Sequence, residues 1–188
     1  LSSALFNESE GIRLRFSSKV DGIPYDGKYI FSAMGYNFLP SEISAAFAIE
    51  QLKKLKKNIK IRIKNFKFLE NFFKKYSNFI KLPLQQKNVK TGWLAFPLVL
   101  KESGGIERKN LQIYLEQKGI QTRTIFTGNI LRQPMMKGQY FKKHKFASSV
   151  SDDVMKNGIL IGCHHGLKLK ELKYMCKTFE KYLASIKY

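Results

Sequence analysis

A long amphipathic helix is the strongest element that the hydrophobic pattern predicts. It begins at Pro40–Ser41, since a proline suits the first helical turn, where its missing N–H has no intrahelical partner. The pattern continues to about Asn78, which is long for a globular helix and could bridge two domains. Steps of three and four place the apolar residues on one face: Ala45, Ala48, Ile49, Leu52, Leu55, Ile59, Ile63, Phe66, Leu69, Phe73 and Tyr76.

Beyond Pro83 the pattern changes to short strands that alternate with helices. Alternating apolar positions predict a strand over 89–100, in which Pro97 favours a place at a sheet edge. Further strands are predicted over 120–126 and 159–162, and helices over 104–118, from Ser149 or Ser151 to Lys156, and at the C-terminus. This order indicates an α/β fold with helices over a small sheet. Residues 1–35, rich in Ser and Gly, predict an irregular region.

The charge of the chain indicates an anionic partner but does not identify it. The formal net charge is +20, and segment 50–81 carries eleven Lys and Arg against two Glu. Such a field favours nucleic acid, a membrane surface or phosphorylated metabolites. The same lysines on an amphipathic helix also suit a solvated face, and no recognisable base-reading module accompanies them. No stretch approaches the roughly 20 apolar residues of a membrane span.

A donor-rich loop follows the predicted strand over 120–126. Arg123, Asn129, Arg132 and Gln133 could together bind an anionic group, because guanidinium forks and amides donate directional hydrogen bonds. Composition alone leaves an ordinary surface loop as an equal alternative. Asn37, just before the long helix, lies where a helix N-terminus could bind a phosphate, although simple turn chemistry explains it as well.

The adjacent residues Cys163, His164 and His165 do not predict a metal site. A metal needs about four converging ligands, and neighbouring residues of an extended segment point in opposite directions. We interpret this tripeptide as a turn after a strand. The chain's two cysteines, Cys163 and Cys176, form no disulfide framework, which fits a reduced, cytoplasmic compartment.

Several motifs together resemble one enzyme family. The segments Gly35–Tyr36–Asn37, Ser41–Ala46 and Gln51–Leu52 are similar to the start of the long helix in the DegT/DnrJ/EryC1/StrS sugar aminotransferases. The strand Trp93–Leu98 resembles the first strand of their small domain. Thr122–Arg123 and Gly128–Pro134 resemble the branch that includes nucleotide-hexose 3-dehydratases.

The resemblance implies a fold and a cofactor. It implies the C-terminal small α/β domain of a fold-type I enzyme dependent on pyridoxal 5'-phosphate (PLP), preceded by a long linking helix. Residues 1–40 would end the large cofactor domain, 41–80 would form the linking helix, and 81–188 the small domain. The Schiff-base Lys, or the His that replaces it in dehydratases, would lie before Leu1, so no catalytic residue is expected in this chain and the chain alone is expected to be inactive.

The resemblance also implies site residues and partners. In a homodimer, Asn37 would contact the partner subunit's cofactor phosphate, whereas Leu39 stands where the family often has a second, basic contact. Arg123, Asn129, Arg132 and Gln133 would bind a nucleotide-diphosphate sugar, which is modified by transamination with an amino-acid donor or by dehydration at carbon 3. No cysteine precedes Cys163, which argues against an iron–sulfur cluster. A basic nucleic-acid-associated domain, or a non-catalytic remnant with a dimerising role, remains as an alternative.

Overall fold

A computed structural model describes residues 19–25, 30, 34, 36, 38, 40–141 and 147–186. The chain divides into two compact units, 1–53 and 54–188, and the division falls within the long helix. None of the described helices is both long and apolar enough to span a membrane. The domain limits expected from the sequence, 1–40, 41–80 and 81–188, stay a prediction.

A hairpin begins the described part of the first unit. Strands β1 (Lys19–Val20) and β2 (Ile23–Pro24) pair antiparallel through a two-residue turn. Asp21 and Gly22 in that turn both have positive φ angles, 50° and 81°. Such a turn matches the right-handed twist of the two strands.

Helix α1 (Glu42–Phe73) is the long helix that the apolar pattern predicts. It ends at Phe73, and a 3-10 turn, Lys74–Tyr76, follows where the pattern predicted more helix. Only the C-terminal part of its apolar face is buried, at Phe66, Leu69 and Phe73. Its first three turns expose apolar side chains instead: Ile43, Phe47, Ile49 and Leu52.

The second unit contains a four-stranded antiparallel sheet in the order β3-β4-β6-β5. The strands are β3 (Ile80–Lys81), β4 (Ala95–Leu100), β5 (Thr122–Arg123) and β6 (Gly158–Gly162), and the helices are α2 (Arg108–Gln117), α3 (Ala147–Asn157) and α4 (Leu169–Ser185). From β4 onward the order of strands and helices is the one that the sequence predicts, whereas the short strand β3 was not predicted. The α/β architecture, a small sheet with helices, is therefore confirmed.

Three local expectations were wrong. Strand β4 is central, between β3 and β6, and not at the sheet edge that Pro97 predicted. Pro97 is tolerated there because the short β3 pairs only with Val99 and Leu100 and does not reach it. Strand β5 has two residues, and the chain turns away before Phe126, whose φ is 45°. Ser149 and Ser151 lie inside α3 and cap neither end of it.

The core lies between α1, α2, α4 and one face of the sheet. The side chains of Phe96, Leu98 and Leu100 alternate with half-buried residues along β4, as expected for a strand with one buried face. Aromatic rings fill the space above them: the centroids of Phe73 and Phe179 lie 5.0 Å apart, and the stacked rings of Phe66 and Trp93 lie 3.9 Å apart. Each buried ring excludes a large apolar area from water, so this cluster stabilises the whole second unit.

Candidate functional site

The donor-rich loop connects β5 to the region before α3. It contains two 3-10 turns, Ile130–Arg132 and Pro134–Met136. Gly128, with a φ of 63°, brings the loop backbone so close to α3 that an added Cβ would lie 2.7 Å from the Cα of Met155. A residue without a side chain is therefore needed where the loop meets this helix.

Asp152 of α3 binds two of the predicted site residues. Arg132 donates from Nε to Oδ1 of Asp152 at 2.5 Å and from Nη2 to Oδ2 at 2.6 Å, a two-point pairing of guanidinium and carboxylate. Asn129, which is only 5% exposed, donates from Nδ2 to Oδ1 of Asp152 at 2.7 Å. Two hydrogen bonds lower the pKa of Asp152 to about 2: the one from Arg132 has the largest effect, and the one from Asn129 has the next largest. The same pairing raises the pKa of Arg132.

Further hydrogen bonds close the loop on itself. The side-chain oxygen of Asn129 accepts a hydrogen bond from the backbone N–H of Leu131 at 3.0 Å and so caps the first 3-10 turn. Gln133 donates from Nε2 to the carbonyl of Thr127 at 2.9 Å. Asn129, Arg132 and Gln133 thus all contribute to the shape of the loop, whatever else they bind.

Arg123 differs from the other three predicted site residues. It ends β5, where its backbone pairs with β6, and its exposed side chain makes no hydrogen bond or ion pair with another described residue. Its guanidinium is therefore available to an external anion. The structure brings Asn129, Arg132 and Gln133 together and places Arg123 at the entry to the same loop.

Asn37, the predicted cofactor contact, lies outside the described residues. Its neighbours Tyr36 and Phe38 are exposed, and their ring centroids lie 5.6 Å apart. The expected contact of Asn37 with a cofactor phosphate stays a prediction.

The tripeptide Cys163–His164–His165 forms a turn after β6 and packs on α1. Cys163 is buried, its Sγ donates to the carbonyl of Trp93 at 3.3 Å, and burial raises the pKa of this thiol to about 12. His165 accepts a hydrogen bond at Nδ1 from Nε of Arg62 at 3.3 Å. Within the described part of the chain, no three His, Cys, Asp or Glu side chains are grouped so that they could hold a metal ion.

Asp152 is the residue that the sequence analysis missed as part of this site. It lies twenty positions after Arg132, on the next helix, and no local pattern links the two. Composition offered one signal for it. Acidic residues are few in this chain, 14 in all, and two of them are adjacent in α3, where they can pair with cationic side chains.

The sequence pattern of the DegT/DnrJ/EryC1/StrS aminotransferase family matches residues 7–180. The chain belongs to this family. Among curated proteins, this family member is similar to the lipopolysaccharide biosynthesis protein RfbH of Salmonella typhimurium, with 31% identity over 90% of the chain and 39% of RfbH. It is also similar to a GDP-4-keto-6-deoxy-D-mannose 3-dehydratase of Escherichia coli, with 33% identity over 84% of the chain and 41% of the dehydratase.

Solved structures of two enzymes show the same fold. An E. coli GDP-4-keto-6-deoxy-D-mannose-3-dehydratase with bound hydrated PLP matches with a TM-score of 0.71 and 30% identity, over 88% of this chain and 43% of that one. An aminotransferase from Psychrobacter cryohalolentis matches with a TM-score of 0.74 at 12% identity, over 93% of this chain and 46% of that one, which shows the fold alone. The chain thus spans less than half the length of these relatives.

Among the described residues of this DegT-family chain, no lysine is buried. A lysine that forms an imine is commonly activated by desolvation or by a neighbouring charged group, and every described lysine is exposed or half-exposed. The residue that the resemblance assigns to the cofactor, Asn37, is outside the described ranges.

Proposed function

We propose that this chain is the C-terminal part of a PLP-dependent enzyme that modifies a nucleotide-activated keto-deoxysugar in the biosynthesis of deoxysugars or surface polysaccharides. The observation that carries the proposal is the family match over residues 7–180, joined to the structural similarity to a PLP-containing sugar 3-dehydratase at 30% identity. When bound in the whole protein, PLP would supply an electron sink for negative charge that develops on the sugar. The groups that hold it would come mainly from outside this chain.

Dehydration at carbon 3 is the reaction that the similar proteins favour. Two GDP-4-keto-6-deoxy-D-mannose 3-dehydratases are 33% and 34% identical to the chain, whereas a UDP-sugar transaminase is 24% identical. Transamination with an amino-acid donor is the second candidate because that transaminase matches over 82% of the chain.

The loop with Arg123, Asn129, Arg132 and Gln133 is proposed as this chain's share of the substrate site. The guanidinium of Arg123 is exposed and has no partner among the described residues, so it can pair with a diphosphate. Arg132 keeps Nη1 without a described partner and its side chain 62% exposed, so its guanidinium can still donate outward. The net charge of +20 favours the approach of such an anion.

We further propose that the whole enzyme is a homodimer in the cytoplasm, with Asn37 of each subunit at the cofactor phosphate of the other. The first turns of α1, which follow Asn37 in the chain, expose apolar side chains. Exposed apolar surface of this kind is typical of a protein–protein interface, which supports the proposal of a dimer.

The test is an analysis of the products that the full-length protein forms. It is incubated with PLP, an amino-acid donor and 4-keto-6-deoxy sugars linked to GDP, dTDP or UDP, and the products are identified by mass spectrometry. We expect a product that has lost the hydroxyl at carbon 3 without gaining nitrogen, and no turnover by the 188-residue chain alone. An amino sugar would select transamination, and no turnover of any of these sugars by the full-length protein would contradict the proposal.

A further inference from the structure

The carboxylate of Asp152 binds two of the side chains that shape the donor-rich loop. Asp152 accepts two hydrogen bonds from Arg132 and one from Asn129, all at 2.7 Å or less. Both donors come from a loop segment that precedes Asp152 by at least twenty residues. The loop is therefore held by a helix that is separate from it in sequence.

A second contact on the same side of α3 holds the same loop. Met155 lies three positions after Asp152, and residues three apart on a helix are neighbours on one face. Met155 packs against Gly128, next to Asn129. One face of α3 thus binds the loop twice, through a charged pairing and through a close backbone approach.

The pairing also fixes the direction of the loop beyond Asn129. With Nδ2 bound to Asp152, the Oδ1 of Asn129 points to the N–H of Leu131 and caps the 3-10 turn Ile130–Arg132. The backbone N–H of Gln133 then donates to the carbonyl of Ile130 at 3.0 Å. This turn orients Arg132 and Gln133, so a substitution at Asp152 would alter the conformation of the whole segment from Asn129 to Gln133.

We propose that Asp152 is a positioning residue for substrate: it holds Gly128–Gln133, through Arg132 and Asn129, in the shape that receives the nucleotide-sugar. This inference rests on the proposed function. Asp152 itself need not touch substrate, since both of its oxygens are occupied by the loop. Exposed ion pairs contribute little to global stability, so loss of this pair should change the melting temperature only slightly. It should instead make the loop less ordered and weaken the binding of substrate.

The adjacent residue Asp153 provides a matched control. It also accepts hydrogen bonds from a cation and an amide, Lys81 at 2.8 Å and Asn157 at 2.7 Å, but neither belongs to the loop. Asp152→Asn and Asp153→Asn therefore remove the same charge from the same turn of α3. Only the first removes a bond to the loop.

The experiment compares both variants with the wild-type full-length protein by hydrogen exchange and kinetics. We expect Asp152→Asn to speed exchange severalfold in peptides that cover 128–137, with little change elsewhere, and to raise KM for the nucleotide-sugar more than it lowers kcat. Asp153→Asn should leave loop exchange and KM unchanged. Asp152→Glu, which keeps the charge on a longer stem, should recover part of the loss.

The possible failures are distinguishable. Unchanged loop exchange in Asp152→Asn would overturn the holding role, and faster loop exchange with an unchanged KM would overturn the substrate role. If Asp152→Asn does not fold, the same comparison with Asp152→Glu decides. A wild-type protein that turns over no nucleotide-sugar would overturn the proposed function, and the substrate role with it, even where the exchange results show that the loop is held.

Discussion

Gly128 shows how much the loop depends on a single residue. Its φ of 63° and its close approach to Met155 both exclude a side chain. Gly128→Ala should lower the free energy of unfolding by about 2–4 kcal/mol, which combines the cost of a left-handed alanine with that of overpacking. Urea or thermal unfolding of the 188-residue chain measures the change.

Gly138→Ala is the control for backbone strain alone. Gly138 also has a positive φ, 76°, but an added Cβ meets no atom within 4 Å. We expect a loss of only about 1–2 kcal/mol there. Equal losses at Gly128 and Gly138 would show that the loop does not pack closely on α3.

At the residue scale, the sequence predicted a polar loop but not what its side chains bind. Arg132 and Asn129 were selected as anion donors because their side chains suit that chemistry. The same donors suit Asp152 equally well, and only the fold brings α3 beside the loop. Donor type is encoded locally, whereas donor partners depend on tertiary structure.

At the element scale, long periodic segments were predicted well and short ones poorly. The 32 residues of α1 and the buried face of α4 follow from apolar periodicity alone. Strand β5 keeps only two of the seven residues expected, because the chain leaves the sheet to form the loop on α3. Pro97 failed as an edge signal because its neighbour β3 is too short to reach it.

Asn65 connects two elements and supports a second stability prediction. It is 6% exposed on α1 and donates to the carbonyls of His164 at 2.9 Å and Leu167 at 3.3 Å, in the turn between β6 and α4. Asn65→Ala leaves these carbonyls without their donor, so we expect a loss of about 1–3 kcal/mol in the free energy of unfolding.

The exposed Asn71 on the same helix is the matched control. Asn71→Ala should be neutral or slightly stabilising, by at most about 0.7 kcal/mol, because alanine favours the helix more than asparagine does. Similar effects of the two substitutions in chemical denaturation would argue that Asn65 does not tie the turn to α1.

At the scale of the whole molecule, motif order carried more information than composition. The net charge of +20 suits several anionic partners, whereas the motifs at 35–37, 41–46, 93–98 and 122–134 together indicated the family that the comparisons confirm.

The distribution of buried residues along the chain leads to the last prediction. Among the described residues, every buried hydrophobic side chain lies at Phe66 or later, and residues 40–53 are exposed throughout. Hydrophobic burial is the dominant favourable term in folding. The second unit, 54–188, therefore contains the described core, and a fragment with those residues should unfold cooperatively within about 4 °C of the 188-residue chain, the shift that about 1 kcal/mol produces at this size.

Removal of residues 1–53 should also change association. The exposed side chains Ile43, Phe47, Ile49 and Leu52 are removed with that segment, and large exposed apolar surfaces promote association in water. We expect the 54–188 fragment to remain monomeric in analytical ultracentrifugation at concentrations where the 188-residue chain self-associates. A fragment that melts far below the longer chain, or loses its cooperative transition, would show that residues 1–53 contribute to the core, because the side chains buried in the second unit would then be insufficient to fold it.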